Sequence, residues 1–189
     1  MSNLSLPPDG ELIEGIRSGD SATLGHLQDA YWEPLMQFAD RILGGIADPQ
    51  DVVQEAFIRL WANRDRWQVE GSVRSLLYTV TRNAALDERR RHARRERVST
   101  AADPPPTAVQ PSEDAAAAEL RSAAAEAVSN LPPKRQEVFR LSREEGLTYS
   151  EIAAVLGVSP QTVANQMSLA LADLRRALEP YLAEPEAPP

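Results

Sequence analysis

Hydrophobic positions along this chain recur at helical spacing almost throughout, and the period-two alternation of strands is nearly absent. Residues 10–18 and 21–43 carry the first two helical patterns. Asp20 or Ser21 can cap the second, and Pro34 is expected to start or kink a turn within it. Gly44, Gly45 and Pro49 then punctuate the chain before a helix predicted over residues 50–63. Along it Val53, Phe57, Leu60 and Trp61 supply an apolar stripe, while Asp48, Asp51 and Glu55 gather on another face. A short loop over residues 64–71 leads to a long helix over 72–95. Its first half is apolar on one side, through Leu76, Leu77, Val80 and Ala84, and its second half is almost wholly charged. An apolar face that stops while arginines continue implies a basic helix end standing in solvent.

The strongest boundary follows, at residues 99–112, where Pro104, Pro105, Pro106 and Pro111 stand among small and polar residues. Proline cannot continue a helix there, and little in the stretch could drive burial, so an extended linker is expected. Beyond it lie an alanine-rich helix over 113–129 and a second over 134–145 that ends at Gly146. Thr148 and Glu151 have the spacing of a capping box, a hydroxyl at the N-cap and a carboxylate three residues on. They open a short helix over 149–156 with Ile152, Ala153 and Leu156 inside. Gly157 supplies a turn, Ser159 caps the next helix, and Pro160 takes its favoured first position. Val163, Met167, Leu171, Leu174 and Leu178 form the expected inner stripe of that helix. Two short helices joined by a glycine turn make a helix-turn-helix, whose second member would present Gln161, Thr162, Asn165 and Gln166 outward. The predicted fold is therefore all-α: two small helical domains, residues 10–97 and 113–180, joined by a flexible Pro-rich linker over 98–112. The tail over 184–189 is expected to lack order.

Composition agrees with helix: aromatic residues are 5% of the chain, and alanine and leucine abound. No apolar run approaches a membrane span, so no direct membrane insertion is expected. The first ten residues lack the basic start and apolar core of a signal peptide, and cysteine is absent. Disulfides and thiolate metal sites are thereby excluded, and a cytoplasmic location is expected. His26 and His92 lack metal-ligand spacing. No nucleophile–base pair or phosphate loop is visible either, so neither a cofactor nor an enzymatic activity is expected. The net charge of −8 argues against a nucleic-acid binder until the charges are located. Between residues 82 and 97 seven arginines face three acids, a local excess of four positive charges. The acids concentrate at Asp48, Asp51 and Glu55 and over 113–126. Such segregation suits one surface for a polyanion and another for a basic partner.

Three blocks then carry a family resemblance. Residues 48–61 read Asp-Pro-Gln-Asp-Val-Val-Gln-Glu-Ala-Phe-Ile-Arg-Leu-Trp, and residues 75–91 read Ser-Leu-Leu-Tyr-Thr-Val-Thr-Arg-Asn-Ala-Ala-Leu-Asp-Glu-Arg-Arg-Arg. Together with residues 131–178, in this order and spacing, they resemble the extracytoplasmic-function (group IV) sigma factors. That resemblance implies a bacterial subunit that binds core RNA polymerase and directs promoter-specific initiation. It implies that Asp48, Asp51, Gln54 and Glu55 dock on the clamp coiled-coil of the largest subunit, with the flap as a further polymerase contact. Asn83 would help hold a flipped-out base of the minus-ten element beneath the loop over 64–71, while Arg82, Arg89, Arg90, Arg91 and Arg94 neutralise phosphates. Ser159, Gln161, Thr162, Asn165 and Gln166 would meet minus-thirty-five DNA, with Lys134, Arg135, Arg175 and Arg176 supplying phosphate contacts. By analogy an anti-sigma factor would control it. Two departures stand out: Leu76 replaces a frequent tryptophan, and residues 161–172 contain no charge where the family usually has basic residues. Two other readings compete, a free-standing helix-turn-helix regulator and an enzyme.

Overall fold

The computed structural model describes residues 6–66, 72–96 and 115–182 of the chain. The described residues are helical, without a strand, and group into two units, one of α1–α4 and one of α5, α6, α8 and most of α7. The expected linker, the loop residues 67–71 with Trp67, and the C-terminal tail lie outside the described residues.

In the first unit α1 (Asp9–Ser18) buries Leu12 and Ile16, one turn apart. Gly19, at φ 77°, ends it in the left-handed conformation that glycine adopts without a Cβ penalty. Asp20 then caps α2 (Ser21–Leu43), accepting hydrogen bonds from the Ala22 and Thr23 amides at 3.0 and 3.2 Å. α1 and α2 come so close at Gly15 that a Cβ there would lie 2.3 Å from Thr23 Oγ1. Pro34 sits inside α2 and does not end it, so of the two expectations the start of a new turn does not occur. An interior proline costs about 3 kcal/mol. Buried Leu27, Leu35, Phe38, Ala39 and Leu43 hold the helix on both sides of it, and each large side chain contributes about 1.5–3 kcal/mol.

α3 (Pro49–Ala62) starts one residue earlier than predicted because Asp48 is its N-cap and Pro49 its first residue. It buries Val52, Val53, Ala56, Phe57 and Leu60, leaving Trp61 half-buried with the Arg64 guanidinium 5.2 Å from its ring. A 3-10 turn at Arg64–Arg66 follows. α4 (Val73–Glu96) packs against both α2 and α3 through Val73, Leu77, Tyr78, Val80, Ala84 and Ala85. Phe38 and Tyr78 meet with their rings tilted by 58° and their centres 5.0 Å apart, and Trp32 stacks on Phe57 at 6.2 Å. Burial ends at Ala85, so the last three turns of α4 are its polar, arginine-bearing end, as the pattern predicted.

In the second unit α5 (Ala115–Ser129) and α6 (Pro133–Arg143) pack on α8 (Pro160–Leu182). Ala127, Leu131, Ala170 and Leu174 form a core cluster, with Val128, Phe139 and Leu178 against it. α7 (Tyr149–Leu156) opens on the reciprocal capping box. The Thr148 amide donates to Glu151 Oε2 at 2.8 Å, and the Glu151 amide donates to Thr148 Oγ1 at 3.3 Å. Gly157, at φ 66°, turns the chain, and Ser159 Oγ accepts from the Thr162 amide at 3.1 Å to start α8. One expected inner residue is displaced: Leu171 is 42% exposed, and Ala170 is fully buried. A step of seven from Val163 returns to the same helix face, whereas a step of eight drifts off it.

Candidate functional site

The acidic strip of α3 begins at its first turn. Asp48, Asp51, Val52 and Glu55 recur at helical spacing and, with Ala47, form one wall of a groove of about 440 Å³. The other wall belongs to α4, through Ala84, Glu88, Arg91 and Arg95. The four docking candidates hold different commitments. Asp48 spends one carboxylate oxygen on the Gln50 amide at 2.8 Å, which ties the start of α3. Asp51 is exposed and makes no ion pair among the described residues, and Gln54 is exposed outside the groove lining. Glu55 accepts from Arg59 Nε at 2.7 Å. Arg59 also reaches Asp87 Oδ2 on α4 at 3.2 Å, and Asp87 in turn pairs with Arg90 at 3.2 Å. The hydrogen bond to Glu55 raises the Arg59 pKa; burial opposes it, and the bond to Asp87 adds to it.

A second depression, of about 330 Å³, opens further along the same helix pair, lined by Arg59, Asn63, Arg66, Val80 and Asn83. Asn83 is exposed, and it shares this hollow with three residues that can donate hydrogen bonds. Arg59, Asn63 and Arg66 were not singled out from sequence. The signal was present for two of them: Glu55, Arg59 and Asn63 are spaced by four and continue the acidic strip along α3.

The arginines of α4 do not form one basic surface. Asn83, Asp87, Arg90 and Arg94 are spaced by four, three and four residues, so they share one strip. Arg91 and Arg95 stand on the groove side, paired with Glu88 at 2.9 and 3.6 Å. Arg82 and Arg89, seven residues apart, lie along a third face. Arg89 and Arg94 make no ion pair among the described residues. The phosphate-binding set expected from sequence is thus divided, with Arg91 facing acids rather than sharing the strip of Asn83.

On α8, Gln161, Thr162 and Asn165 are exposed, and Gln166 is half-buried rather than fully outward. Gln161 Nε2 donates to Asn165 Oδ1 at 3.0 Å, which aligns two amides along one face. Ser159 and Thr162 share a hydroxyl hydrogen bond of 2.9 Å, so Ser159 is engaged in capping. Leu169, one turn beyond Asn165 and 45% exposed, adds an apolar group to this face that the polar pattern had hidden. Lys134 and Arg175 are exposed and make no ion pair among the described residues. Arg135 is half-buried and ion-paired with Asp173, tying α6 to α8, and Arg176 approaches the same carboxylate at 3.9 Å. No group of three or more His, Asp or Glu residues suited to a metal ion occurs among the described residues.

Residues 27–95 match the Sigma-70 region 2 family, and residues 121–174 match Sigma-70, region 4. The ECF RNA polymerase sigma factor SigL of Mycobacterium tuberculosis is 31% identical to this chain over 88% of it and 95% of SigL. The chain is an ECF sigma factor.

The region 2 match of this sigma factor contains both the groove and the Asn83 cavity, and its region 4 match contains the helix-turn-helix. A free-standing helix-turn-helix regulator leaves the first match without a role. Sigma factors are transcription regulators. Two further similarities stand beside that to SigL. The ECF RNA polymerase sigma factor SigW of Bacillus subtilis is 24% identical over 88% of this chain and 94% of SigW. The solved structure of CnrH in complex with the cytosolic domain of CnrY aligns with a TM-score of 0.61, at 24% identity, over 91% of this chain and 97% of that one. At that identity the likeness concerns the fold alone. Among the described residues no helix is long and apolar enough to cross a membrane.

Proposed function

We propose that this sigma factor docks on core RNA polymerase through the acidic strip of α3, captures melted minus-ten DNA at the Asn83 cavity, and reads minus-thirty-five duplex with α8. The observation that carries the reading is the adjacency of an acidic groove and a polar, arginine-lined cavity on the same helix pair, inside the region 2 match. Asp51 and Glu55, flanked by Asp48 and Gln54, offer negative charge to a basic clamp coiled-coil. Asn83 supplies an amide that can meet the edge of a base pulled from the stack, and Asn63 adds a second. Arg82, Arg89, Arg90 and Arg94 serve the phosphates of the opened strand, with Arg91 kept to the groove side. In the second unit Gln161, Asn165 and Thr162 read base edges, while Lys134 and Arg175 hold backbone phosphates. Residues 10–97 and 113–180 are the two working domains, and residues 98–112 their linker.

The protein works in the cytoplasm, without enzymatic activity of its own, and an anti-sigma factor governs its release. CnrH was solved with the cytosolic domain of CnrY, and the sigma factor RpoE of Bartonella quintana with the anti-sigma factor NepR. The test pairs two measurements on the full chain: binding to core polymerase, and permanganate reactivity of thymines in promoters found by run-off transcription. Asn83→Ala is expected to bind core like the unaltered chain and to lower thymine reactivity. A chain that fails to bind core polymerase sinks the reading, and equal loss of docking and melting in Asn83→Ala sinks the division of labour.

A further inference from the structure

We infer that Arg59 is a phosphate-binding residue of the Asn83 cavity, held back in the free protein by Glu55. The inference rests on the proposed docking face, because its trigger is the capture of Glu55 by a basic partner. Three observations carry it. Arg59 lines, together with Asn63, Arg66 and Asn83, the cavity proposed above to take the single strand. Its Nε is spent on Glu55, a residue of the neighbouring acidic groove, and one terminal nitrogen on Asp87. Arg59 is therefore the seam between groove and cavity, with one carboxylate partner on each helix. The ion pairs are also accessible, since the side chains of Arg59, Glu55 and Asp87 remain 32%, 44% and 40% exposed.

The exchange is electrostatic. An arginine bound to two carboxylates carries little net attraction for a phosphate, because the acids cancel its charge at short range. A basic surface that takes the Glu55 carboxylate leaves Arg59 with Asp87 alone, which Arg90 already shares. The guanidinium then has donors to spare, and a phosphate at the cavity mouth accepts them in the planar geometry that arginine favours. The free protein thus holds its single-strand site partly neutralised, and docking restores its charge.

The test uses the full-length free chain and fluorescence anisotropy with labelled oligothymidylate over a range of salt. Glu55→Gln keeps the shape of the side chain and removes the charge that holds Arg59. It is expected to tighten oligothymidylate binding about fivefold and to steepen the salt slope by about 0.7, the value of one more phosphate neutralised on a single strand. Asp51→Asn removes one charge from the same groove without touching Arg59, and its gain is expected to be less than half as large. Adding Arg59→Gln to Glu55→Gln is expected to abolish the gain. Equal gains in Glu55→Gln and Asp51→Asn overturn the inference, as does a gain that survives loss of Arg59. Circular dichroism checks the fold of the double variant; if it does not fold, the comparison of the two single variants still decides. Core-polymerase binding by the unaltered chain, measured separately, tests the docking reading on its own.

Discussion

Of the four candidate docking residues, Asp51 gives the cleanest perturbation. Asp48 also caps α3, so replacing it costs about 1 kcal/mol of helix stability. Glu55 holds Arg59, and changing it alters the neighbouring cavity. Asp51 is exposed and makes no ion pair among the described residues. It occupies the third helical position of α3, where a cation opposes the helix dipole at a cost of about 0.3–1 kcal/mol. Asp51→Arg loses the acid's favourable interaction and gains the cation's unfavourable one, so it should destabilise the first unit by about 0.6–2 kcal/mol. Against a cation of the partner at about 5 Å, each unit-charge interaction is worth about 0.8 kcal/mol in water and about 3 kcal/mol at an effective dielectric constant near 20. Reversal counts that twice, from attraction lost and repulsion gained. Even the lower limit, reduced by about half through screening near 0.15 M salt, weakens core binding several-fold, and the upper limit exceeds a hundredfold. The two effects are separable, because all three tryptophans, Trp32, Trp61 and Trp67, lie in the first half of the chain. Urea unfolding followed by their fluorescence reads the stability cost, and titration of labelled protein with core polymerase reads docking. A variant that binds core within a factor of two of the parent, with its fold intact, refutes the placement of the docking surface.

Three predictions concern the scaffold of the first unit. Gly15→Ala gains about 1 kcal/mol of helix propensity but drives a methyl into Thr23, an overpacking cost of about 1–3 kcal/mol, so the urea midpoint should fall; a rise would show that α1 moves away freely. Asp20 has a carboxyl pKa below its ordinary value, through the Thr23 hydroxyl first and then the Ala22 amide. A lowered folded pKa gives stability that is present above the unfolded value of about 3.9 and lost as pH falls through the folded one. The stability gap between the parent and Asp20→Asn should then be open near pH 6 and narrow as pH falls below that value; a constant gap would remove the ionised cap from the account. Thr81 is fully buried, and its hydroxyl has no hydrogen-bond partner among the described residues. Thr81→Val keeps its shape and should raise the urea midpoint, by about 1 kcal/mol of stability; an unchanged or lower midpoint would show that the hydroxyl is hydrogen-bonded in solution.

Helix periodicity and capping chemistry make most of the fold legible in the sequence. Ser159 and Thr148 with Glu151 each cap the helix that the pattern assigned to them, and of the two candidates Asp20 and Ser21 it is Asp20 that caps α2, because a side chain at an N-cap acts on amides only two or three residues away. Two positions show where the pattern falls short. Pro34 stays inside α2, held by buried apolar residues on both sides of it, and Leu171 yields to Ala170 because the inner face of α8 follows the helix repeat rather than the larger side chain. The candidate site divides in the same way. Charge segregation is a property of the sequence and was visible there, yet the sorting of the arginines follows from where α3 crosses α4. Arg91 lies four residues before Arg95, both beside Glu88, and that strip meets the acids of α3. Arg90 and Arg94 follow Asn83 along another strip, on which Asp87 meets Arg59. Arg135, a candidate phosphate ligand, is held by Asp173, thirty-eight residues away, a pairing that no local pattern announces. A net charge of −8 is therefore compatible with the proposed single-strand capture, because the strip of Asn83, Arg90 and Arg94 carries a single acid, Asp87. Asp48, Asp51, Glu55 and Glu88 line the groove beside it, and a basic partner that takes Glu55 would, on the proposed reading, free Arg59 for the strand.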